Sequence, residues 1–271
     1  MRLHVVHHGI RRRRARRRLV LWTGGEVLVT VGVLLLLLVV HQLWWTNREA
    51  RAGAERKVEA LEREWGAGAA DIHSGIRSGD GDSDGDDSGD DSDDYGDNDG
   101  TRDSHEAHDD RDARTSSSPP RWSQAYAILT IPRLHLRVPV AEGIGKPSVL
   151  DKGYVGHYPG TQQPGRAGNF ALAGHRNTQG EPFRYINRLA RGDTVQVETK
   201  SAVYTYAVDR TLPQTSARDA GVLRPVPRST VRPSYGYRDP GYYLTLTTCT
   251  PEYTSRYRLV VWGRLVSMRP R

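Results

Sequence analysis

The chain has 271 residues, a net charge of +7 and a single cysteine, Cys249. One cysteine excludes an intramolecular disulfide framework, and a mean hydropathy of −0.64 indicates that part of the chain does not pack into a core. The charge is segregated, because residues 2–18 are basic, residues 80–112 are rich in Asp, and the part after Pro119 is basic again. A basic domain suits nucleic acid, anionic lipid or an anionic polymer.

Residues 1–18 form a basic N-terminus, and an apolar segment follows at residues 19–45. That segment is long enough to cross a bilayer, which takes about 20 apolar residues, and Glu26 suits the headgroup region, so the span itself is placed at about 26–45. The two tryptophans that end it would lie at the far interface. The arginines before the span predict a cytoplasmic N-terminus, so the rest of the chain is expected outside the cytoplasm and nucleic acid is not an expected partner.

The same basic and apolar pattern also fits a cleaved signal peptide, with the small residues 52–54 (Ala-Gly-Ala) as the cleavage site. The apolar run is long for a signal peptide, and those small residues lie well beyond it. The lengths therefore favour an uncleaved signal-anchor.

Two further segments precede the folded domain. Residues 46–66 combine good helix formers with opposite charges three and four apart, which predicts a short juxtamembrane helix. Residues 67–121 are dominated by Gly, Ser and Asp and cannot bury enough apolar surface to offset their ordering entropy. We expect a disordered, extended linker there.

Residues 122–271 contain short runs typical of strands, separated by turn residues. The predicted strands are 126–131, 134–140, 169–174, 194–198, 203–212, 242–248 and 258–266. Only residues 148–152 and 183–189 favour helix. Strands this short and numerous predict a mainly β domain, either a closed barrel or a sandwich, and not a doubly wound sheet.

Three histidines of this domain differ in their predicted settings. His135 is expected within a strand as a half-exposed sheet residue, whereas His157 lies in a segment rich in Gly and Pro and His175 ends a strand. We favour His175 as a catalytic residue over His157, because a residue at a strand end is held more rigidly than one in a loop. No pair has ligand spacing and the Asp-rich tract lacks EF-hand spacing, so neither a metal nor a cofactor is expected.

Cys249 ends a β-prone run just before a Thr-Pro turn. It could be a small buried core residue, since free cysteines are often buried. As a nucleophile it would need a neighbouring cation to favour the thiolate and a histidine to protonate a leaving amine. Arg256 and Arg258 follow it and share one face of the last strand, although arginines are most often plain surface charges.

Three motifs resemble the sortases, the cell-surface transpeptidases of Gram-positive bacteria. Residues 245–249 (Thr-Leu-Thr-Thr-Cys) match the cysteine signature, residues 173–176 (Ala-Gly-His-Arg) match the histidine strand, and Arg258 matches the catalytic arginine. Residues 155–160 and 180–183 look most like the class E sortases of actinobacteria. The resemblance covers about residues 124–267 and implies an eight-stranded β-barrel.

The resemblance also implies a reaction. Cys249 would attack the Thr–Gly bond of a C-terminal sorting signal on a surface protein and form a thioacyl enzyme, with His175 as general acid and then base. Arg258 would hold the substrate carbonyl or the oxyanion, and Arg256 is the weaker candidate for that role. The acceptor would be an amine of the peptidoglycan precursor lipid II, and class E implies Leu-Ala-x-Thr-Gly over Leu-Pro-x-Thr-Gly. Thr247 and Thr248 are candidate substrate contacts, or structural threonines of the sheet.

Two rival interpretations differ in class. A papain-like cysteine hydrolase would place its cysteine at a helix start and ahead of its histidine, whereas here His175 precedes Cys249. A membrane-tethered, non-catalytic module that binds anionic wall polymers remains open, because it would have the same anchor and the same basic domain.

Overall fold

The computed structural model describes residues 8–75 and 120–271. The first range is one helix, α1 (His8–Gly75), roughly 100 Å long at about 1.5 Å per residue. The side chains described from Gly24 to Gln42 are all exposed, and an 18-residue window of this helix has a mean hydropathy of 2.4. By length and composition, α1 is able to cross a membrane.

The second half of α1 is continuous with the apolar half and packs on the β domain. Its buried residues recur every three or four positions, so they form one stripe along the helix: Ala50, Ala54, Val58, Leu61 and Trp65. The helix runs on to Gly75, nine residues into the predicted linker, through a segment rich in alanine. Residues 76–119 of that linker and residues 1–7 of the basic N-terminus lie outside the described residues.

Residues 120–271 fold into a closed barrel of eight strands, with the neighbour order β1-β2-β3-β4-β7-β8-β6-β5. The strands are β1 (Ala125–Ile131), β2 (Leu136–Glu142), β3 (Val155–His157), β4 (Gly168–Ala173), β5 (Thr194–Thr199), β6 (Ala202–Ser216), β7 (Tyr242–Thr250) and β8 (Tyr257–Pro270). The β2–β3 and β4–β7 pairs are parallel and the other pairs are antiparallel. The eight-stranded barrel implied by the resemblance is therefore confirmed.

Some local predictions were wrong. His135 is not in a strand, because Pro132–Leu134 form a 3₁₀ turn and His135 leaves it with a φ of 48° in the left-handed region, exposed to solvent. The strand β3 was missed, because its three residues lie in a segment rich in Gly and Pro. The two predicted helical patches contain only single 3₁₀ turns, at Leu150–Lys152 and Ile186–Arg188.

Side chains of the last two strands alternate between the barrel interior and an outer layer. Leu246 and Val261 belong to the interior core, whereas Val260 and Trp262 pack in a separate outer cluster with Val222. Val222 belongs to the long segment between β6 and β7, so this segment covers the outer face of β7 and β8 and forms a wall beside them.

Candidate active site

Cys249 is the last residue but one of β7 and is half-buried. Alternation along the strand places it on the outer face of the barrel, together with Thr245 and Thr247. Arg258 lies directly opposite Cys249 in the antiparallel β7–β8 pair. Residues opposite each other in such a pair have Cβ atoms about 5 Å apart on the same face of the sheet. The two predicted site residues are therefore neighbours.

His175 reaches the same place from β4. This strand runs parallel to β7 with Ala173 opposite Thr247, and the Gly174 amide donates a hydrogen bond to the Thr247 carbonyl at 3.2 Å. His175 lies two residues beyond the end of β4, and the next residue, Arg176, donates a hydrogen bond to the Cys249 carbonyl at 3.2 Å. The segments that carry His175, Cys249 and Arg258 are therefore adjacent in the fold.

Close packing fixes the backbone that carries His175. The Phe183 amide donates a hydrogen bond to the His175 carbonyl at 3.0 Å, and the Phe183 ring is fully buried. A Cβ atom at Gly174 would lie 2.7 Å from that ring, which is closer than real Cβ contacts allow. The Ala-Gly-His sequence therefore needs glycine before the histidine so that Phe183 can pack against the chain.

Asp151 is a partner of His175 that the sequence analysis missed. It belongs to the 3₁₀ turn Leu150–Lys152, and its Oδ1 lies 2.8 Å from Nε2 of His175. A carboxylate only accepts hydrogen bonds, so it keeps a proton on Nε2. Within residues 120–271, Nδ1 of His175 has no hydrogen-bond partner, which leaves this nitrogen free to exchange a proton with a substrate.

His157 has a different environment from the one expected for a loop residue. It ends strand β3 and is only 1% exposed. Its Nδ1 lies 2.7 Å from Glu142 and 3.0 Å from the hydroxyl of Tyr126, and its Nε2 lies 3.1 Å from the Gln162 carbonyl and 3.0 Å from the Thr161 hydroxyl. Both ring nitrogens of His157 are therefore hydrogen-bonded within the protein. This supports His175 as the candidate acid–base residue, although the reason differs from the backbone rigidity expected from the sequence.

A buried arginine links the two catalytic segments. Arg176 is 7% exposed, and its Nη1 donates hydrogen bonds to the Cys249 carbonyl at 3.2 Å and to the Thr250 hydroxyl at 2.8 Å. In the described ranges no acidic side chain pairs with it, so an uncompensated positive charge lies beside the cysteine. Arg176 belongs to the Ala-Gly-His-Arg motif, but the sequence alone indicates no role for it.

Arg258 and Arg256 occupy different environments. Arg258 is half-buried, and its Nη1 donates to the carbonyls of Ser255 at 2.8 Å and Tyr257 at 3.0 Å, which anchors the guanidinium near the strand start. Arg256 precedes the strand, is exposed, and stacks over Tyr257 with its Cζ 5.2 Å from the ring centre. Of the two, only Arg258 lies opposite Cys249 in the β7–β8 pair and lines the pocket described below.

A pocket of about 160 Å³ opens beside these residues, lined by Tyr158, Thr247, Arg258 and part of the segment 215–223. Thr247 shares a hydrogen bond with the Tyr158 hydroxyl at 3.0 Å at the pocket wall. Thr248 faces away from the pocket, and its buried hydroxyl donates to the Gly174 carbonyl at 2.8 Å. Of the two threonines, Thr247 lines the pocket, whereas the Thr248 hydroxyl stabilises the backbone before His175.

Asp219 stabilises the wall of this pocket that is formed by the segment 215–223. Its carboxylate accepts hydrogen bonds from the hydroxyls of Thr215 at 2.6 Å, Ser229 at 2.5 Å and Thr230 at 2.9 Å, and from the Thr230 amide. Burial raises the pKa of the Asp219 carboxyl, but the hydrogen bonds to the ionised form outweigh it and hold the pKa below its usual value.

Comparisons with known proteins show the family to which this fold belongs. A sortase-domain family model matches residues 129–266, about half of the chain. Sortase SrtE1 of Streptomyces coelicolor is 41% identical over 236 residues, which cover 85% of this chain and 53% of that protein. Sortase SrtE2 of the same organism is 41% identical over 126 residues, which cover 44% of this chain and 47% of that protein.

Among solved structures, sortase E1 from Streptomyces coelicolor, which has a tripeptide in its active site, is 52% identical with a TM-score of 0.52. The match covers 55% of this chain and 92% of that one. The chain spans about half the length of the curated relatives that it matches. The family model, the identity and the shared barrel agree with the class E resemblance, and the chain belongs to the sortase family.

Proposed function

We propose that this protein is a membrane-anchored cysteine transpeptidase that cleaves the Thr–Gly bond of a sorting signal and transfers the acyl group to an amine. One observation carries this proposal: in a chain of the sortase family, Arg258 lies opposite Cys249 in the β7–β8 pair, and Arg176, which directly follows the Asp151-paired His175, donates a hydrogen bond to the Cys249 carbonyl. The chemistry of a thioacyl intermediate requires a nucleophile, an acid–base group and a cation, and these residues supply all three.

In the first half-reaction, the Cys249 thiolate attacks the Thr carbonyl carbon and the carbon–nitrogen bond to Gly breaks. Arg258 neutralises the charge that develops on the carbonyl oxygen. His175 gives a proton to the leaving Gly amine, so the amine departs neutral and a thioester remains on the enzyme. Cations beside a thiol favour the thiolate, and Arg176 places a second positive charge at the backbone of the nucleophile.

In the second half-reaction, an incoming amine attacks the thioester carbonyl and loses a proton to the neutral His175. The carbon–sulfur bond breaks and regenerates the Cys249 thiolate, while a new amide bond joins the two substrates. Asp151 keeps the proton on Nε2 of His175, so the proton exchanges of both steps take place at Nδ1.

The expected substrates follow from the family and from the anchor. We expect a surface protein with a C-terminal Leu-Ala-x-Thr-Gly or Leu-Pro-x-Thr-Gly signal as acyl donor and lipid II as the amine acceptor. The exposed apolar stretch of α1 and the basic residues before it support an inserted helix with a cytoplasmic N-terminus and an extracytoplasmic barrel.

The test uses the full chain, purified in detergent micelles. A quenched fluorescent Leu-Ala-x-Thr-Gly peptide is incubated with hydroxylamine, and mass spectrometry identifies the product at the Thr carboxyl. The expected product is the Thr hydroxamate, formed by wild type and not by Cys249→Ala. A panel of sorting peptides and a Gly-containing or diaminopimelate-type amine then identifies the preferred donor and acceptor.

The non-catalytic wall-binding alternative predicts the opposite result. Wild type would then be as inert as Cys249→Ala with every peptide of the panel, while both would bind purified cell-wall polymer equally. That outcome would overturn the transpeptidase proposal.

A further inference from the structure

The docked half of α1 contacts the catalytic end of the barrel. Its apolar stripe packs on β1 and β2, where Val58, Leu61 and Trp65 form a core cluster with Ile128 and Val149. Farther along the helix, Glu62 forms an ion pair with Arg137. This stripe fixes the helix on the barrel, and the turns closest to the membrane then meet the two loops that carry His175 and Asp151.

The first contact is with the Asp151 turn. Gly153 directly follows this turn, and a Cβ atom added to it would lie 2.8 Å from the Ala50 carbonyl oxygen. The helix backbone therefore lies against Gly153 with no room for a side chain. Because Asp151 is two residues away and holds Nε2 of His175, the position of the helix limits where this carboxylate can be.

The second contact is with the loop after His175. Asn47 Nδ2 donates to Glu181 at 2.9 Å, and the Gly180 amide donates to Asn47 Oδ1 at 3.3 Å. Arg51 donates to the Gly180 carbonyl and to Glu181, both at 3.1 Å. The Glu181 side chain is only 4% exposed, so this ion pair is poorly screened on the acidic side.

Glu181 also connects the helix to the β7–β8 loop that follows Cys249. Its carboxylate also accepts a hydrogen bond from Arg184 at 2.6 Å, and Arg184 donates in turn to the Tyr253 hydroxyl at 3.3 Å. Tyr253 lies in the β7–β8 loop, four residues after Cys249. The buried acid thus joins the helix, the His175 loop and the Cys249 loop in one network.

We propose that the docked face of α1, which consists of Asn47, Arg51 and the buried stripe that ends at Trp65, is a positioning element of the catalytic centre, with Arg51 and Glu181 as the positioning residues. The docked helix holds the His175 loop and the Asp151 turn in register with Cys249. Since α1 is continuous from the membrane span, and Asn47 follows Trp45 by about 3 Å of helix rise, it also holds the catalytic end of the barrel next to the bilayer. The catalytic part of this inference rests on the transpeptidase function proposed above.

The experiment changes only the helix, so the barrel sequence stays intact. Arg51→Glu puts a negative charge against Glu181, and Ala50→Arg puts a bulky side chain against Gly153. The matched control is Arg63→Glu, which makes the same charge change on an exposed face where Arg63 only contacts the Glu59 carbonyl of its own helix. Arg51→Lys keeps the charge and serves as the conservative variant.

Two readouts are taken on the full chain in micelles: peptide transfer kinetics with their pH profile, and hydrogen–deuterium exchange of residues 149–153 and 178–184. We expect Arg51→Glu and Ala50→Arg to lower kcat at least tenfold with a smaller change in KM, and to speed exchange in both loops about tenfold. Arg63→Glu should match wild type, and Arg51→Lys should recover most of the loss.

Unchanged exchange in both variants would overturn the proposal, because the helix would then not hold the loops. Faster exchange with unchanged kcat and pH profile would overturn it as well, because the loops would then be held without effect on catalysis. An inactive wild type would contradict the transpeptidase function, and the exchange data would still decide whether the helix fixes the loops. Thermal melting of each variant separates loss of positioning from loss of the barrel fold.

Discussion

His157 and His175 form similar acid–imidazole pairs in opposite surroundings. His157 lies 2.7 Å from Glu142, and His175 lies 2.8 Å from Asp151. The His157 side chain is 1% exposed, whereas that of His175 is 16% exposed. A carboxylate partner therefore does not identify the catalytic histidine in this protein.

The two histidines differ in the ring nitrogen that does not contact the carboxylate. In His157 it is occupied by Thr161 and the Gln162 carbonyl, so the ring cannot exchange a proton without breaking a buried network. In His175, Nδ1 has no hydrogen-bond partner within the barrel domain, and the adjacent Arg176 donates a hydrogen bond to the Cys249 carbonyl at 3.2 Å. His157 is therefore fixed within the barrel wall, whereas His175 keeps one ring nitrogen available for the proton transfer proposed above. Substitutions of the two residues should accordingly have opposite effects on stability and on activity.

The largest effect is expected for His175→Gln. Loss of the acid–base group should reduce peptide transfer by about 1,000-fold, the usual contribution of general acid–base catalysis. The melting temperature should fall less than that of a His157 variant, because the His175 side chain is 16% exposed and only one of its ring nitrogens is hydrogen-bonded within the barrel domain. Hydroxylaminolysis kinetics and a thermal melt check both parts. Near-normal transfer by this variant would mean that another group handles the proton.

His157→Ala should show the reverse pattern. Removing the ring leaves Glu142 and Tyr126 without their buried partner, so we expect a loss of about 3 kcal/mol in the free energy of unfolding. The folded fraction should retain wild-type kcat. Chemical denaturation measures the stability, and His135→Asn is the control, since His135 is exposed and Asn tolerates its left-handed backbone. A stable but inactive His157→Ala would reverse the assignment.

Asp151→Asn should have a moderate effect. The variant loses the acceptor that keeps the proton on Nε2 of His175, and in a buried triad such a change lowers kcat by about 10,000-fold. The Asp151 side chain is 37% exposed, so water replaces much of the lost interaction, and we expect about a tenfold loss in kcat. Steady-state kinetics across pH measure it. A loss as large as that of His175→Gln would show that Asp151 does more than orient the ring.

Much of the barrel could be predicted from the sequence, because alternating runs such as 242–248 identify strands by themselves. The strand β3 could not, since three residues between glycines carry no pattern and pair with β2 only once the barrel closes. The catalytic trio was predicted from motifs. Asp151 was missed because its link to His175 spans 24 residues and leaves no spacing signal.

The docked helix was predicted as a helix but not as part of the site. Its stripe of Ala50, Ala54, Val58, Leu61 and Trp65 repeats at helical spacing, which was visible in the sequence. Because alanine contributes little apolar area and most neighbouring residues are charged, the hydrophobic periodicity of this stripe is a weak signal in the sequence. The helix packs against Gly153 and Gly180. These two glycines are far apart in the sequence, and only the folded barrel brings them together under the helix.

The smallest effect is expected at Asp219, a buried carboxylate whose partners are hydroxyl groups and a backbone amide instead of a histidine. Its pKa is lower in the folded protein than the unfolded value of about 3.9, so its stabilisation is complete above that value and is lost as pH falls through the folded pKa. Asp219→Asn should therefore lower stability by about 1 kcal/mol at pH 7, and its difference from wild type should shrink as the pH falls through the folded pKa. Thermal melts between pH 2 and 7 measure this, with the exposed Asp239→Asn as control. If the two variants melted alike at every pH, the hydrogen bonds that hold the pocket wall would contribute nothing beyond those of a neutral side chain.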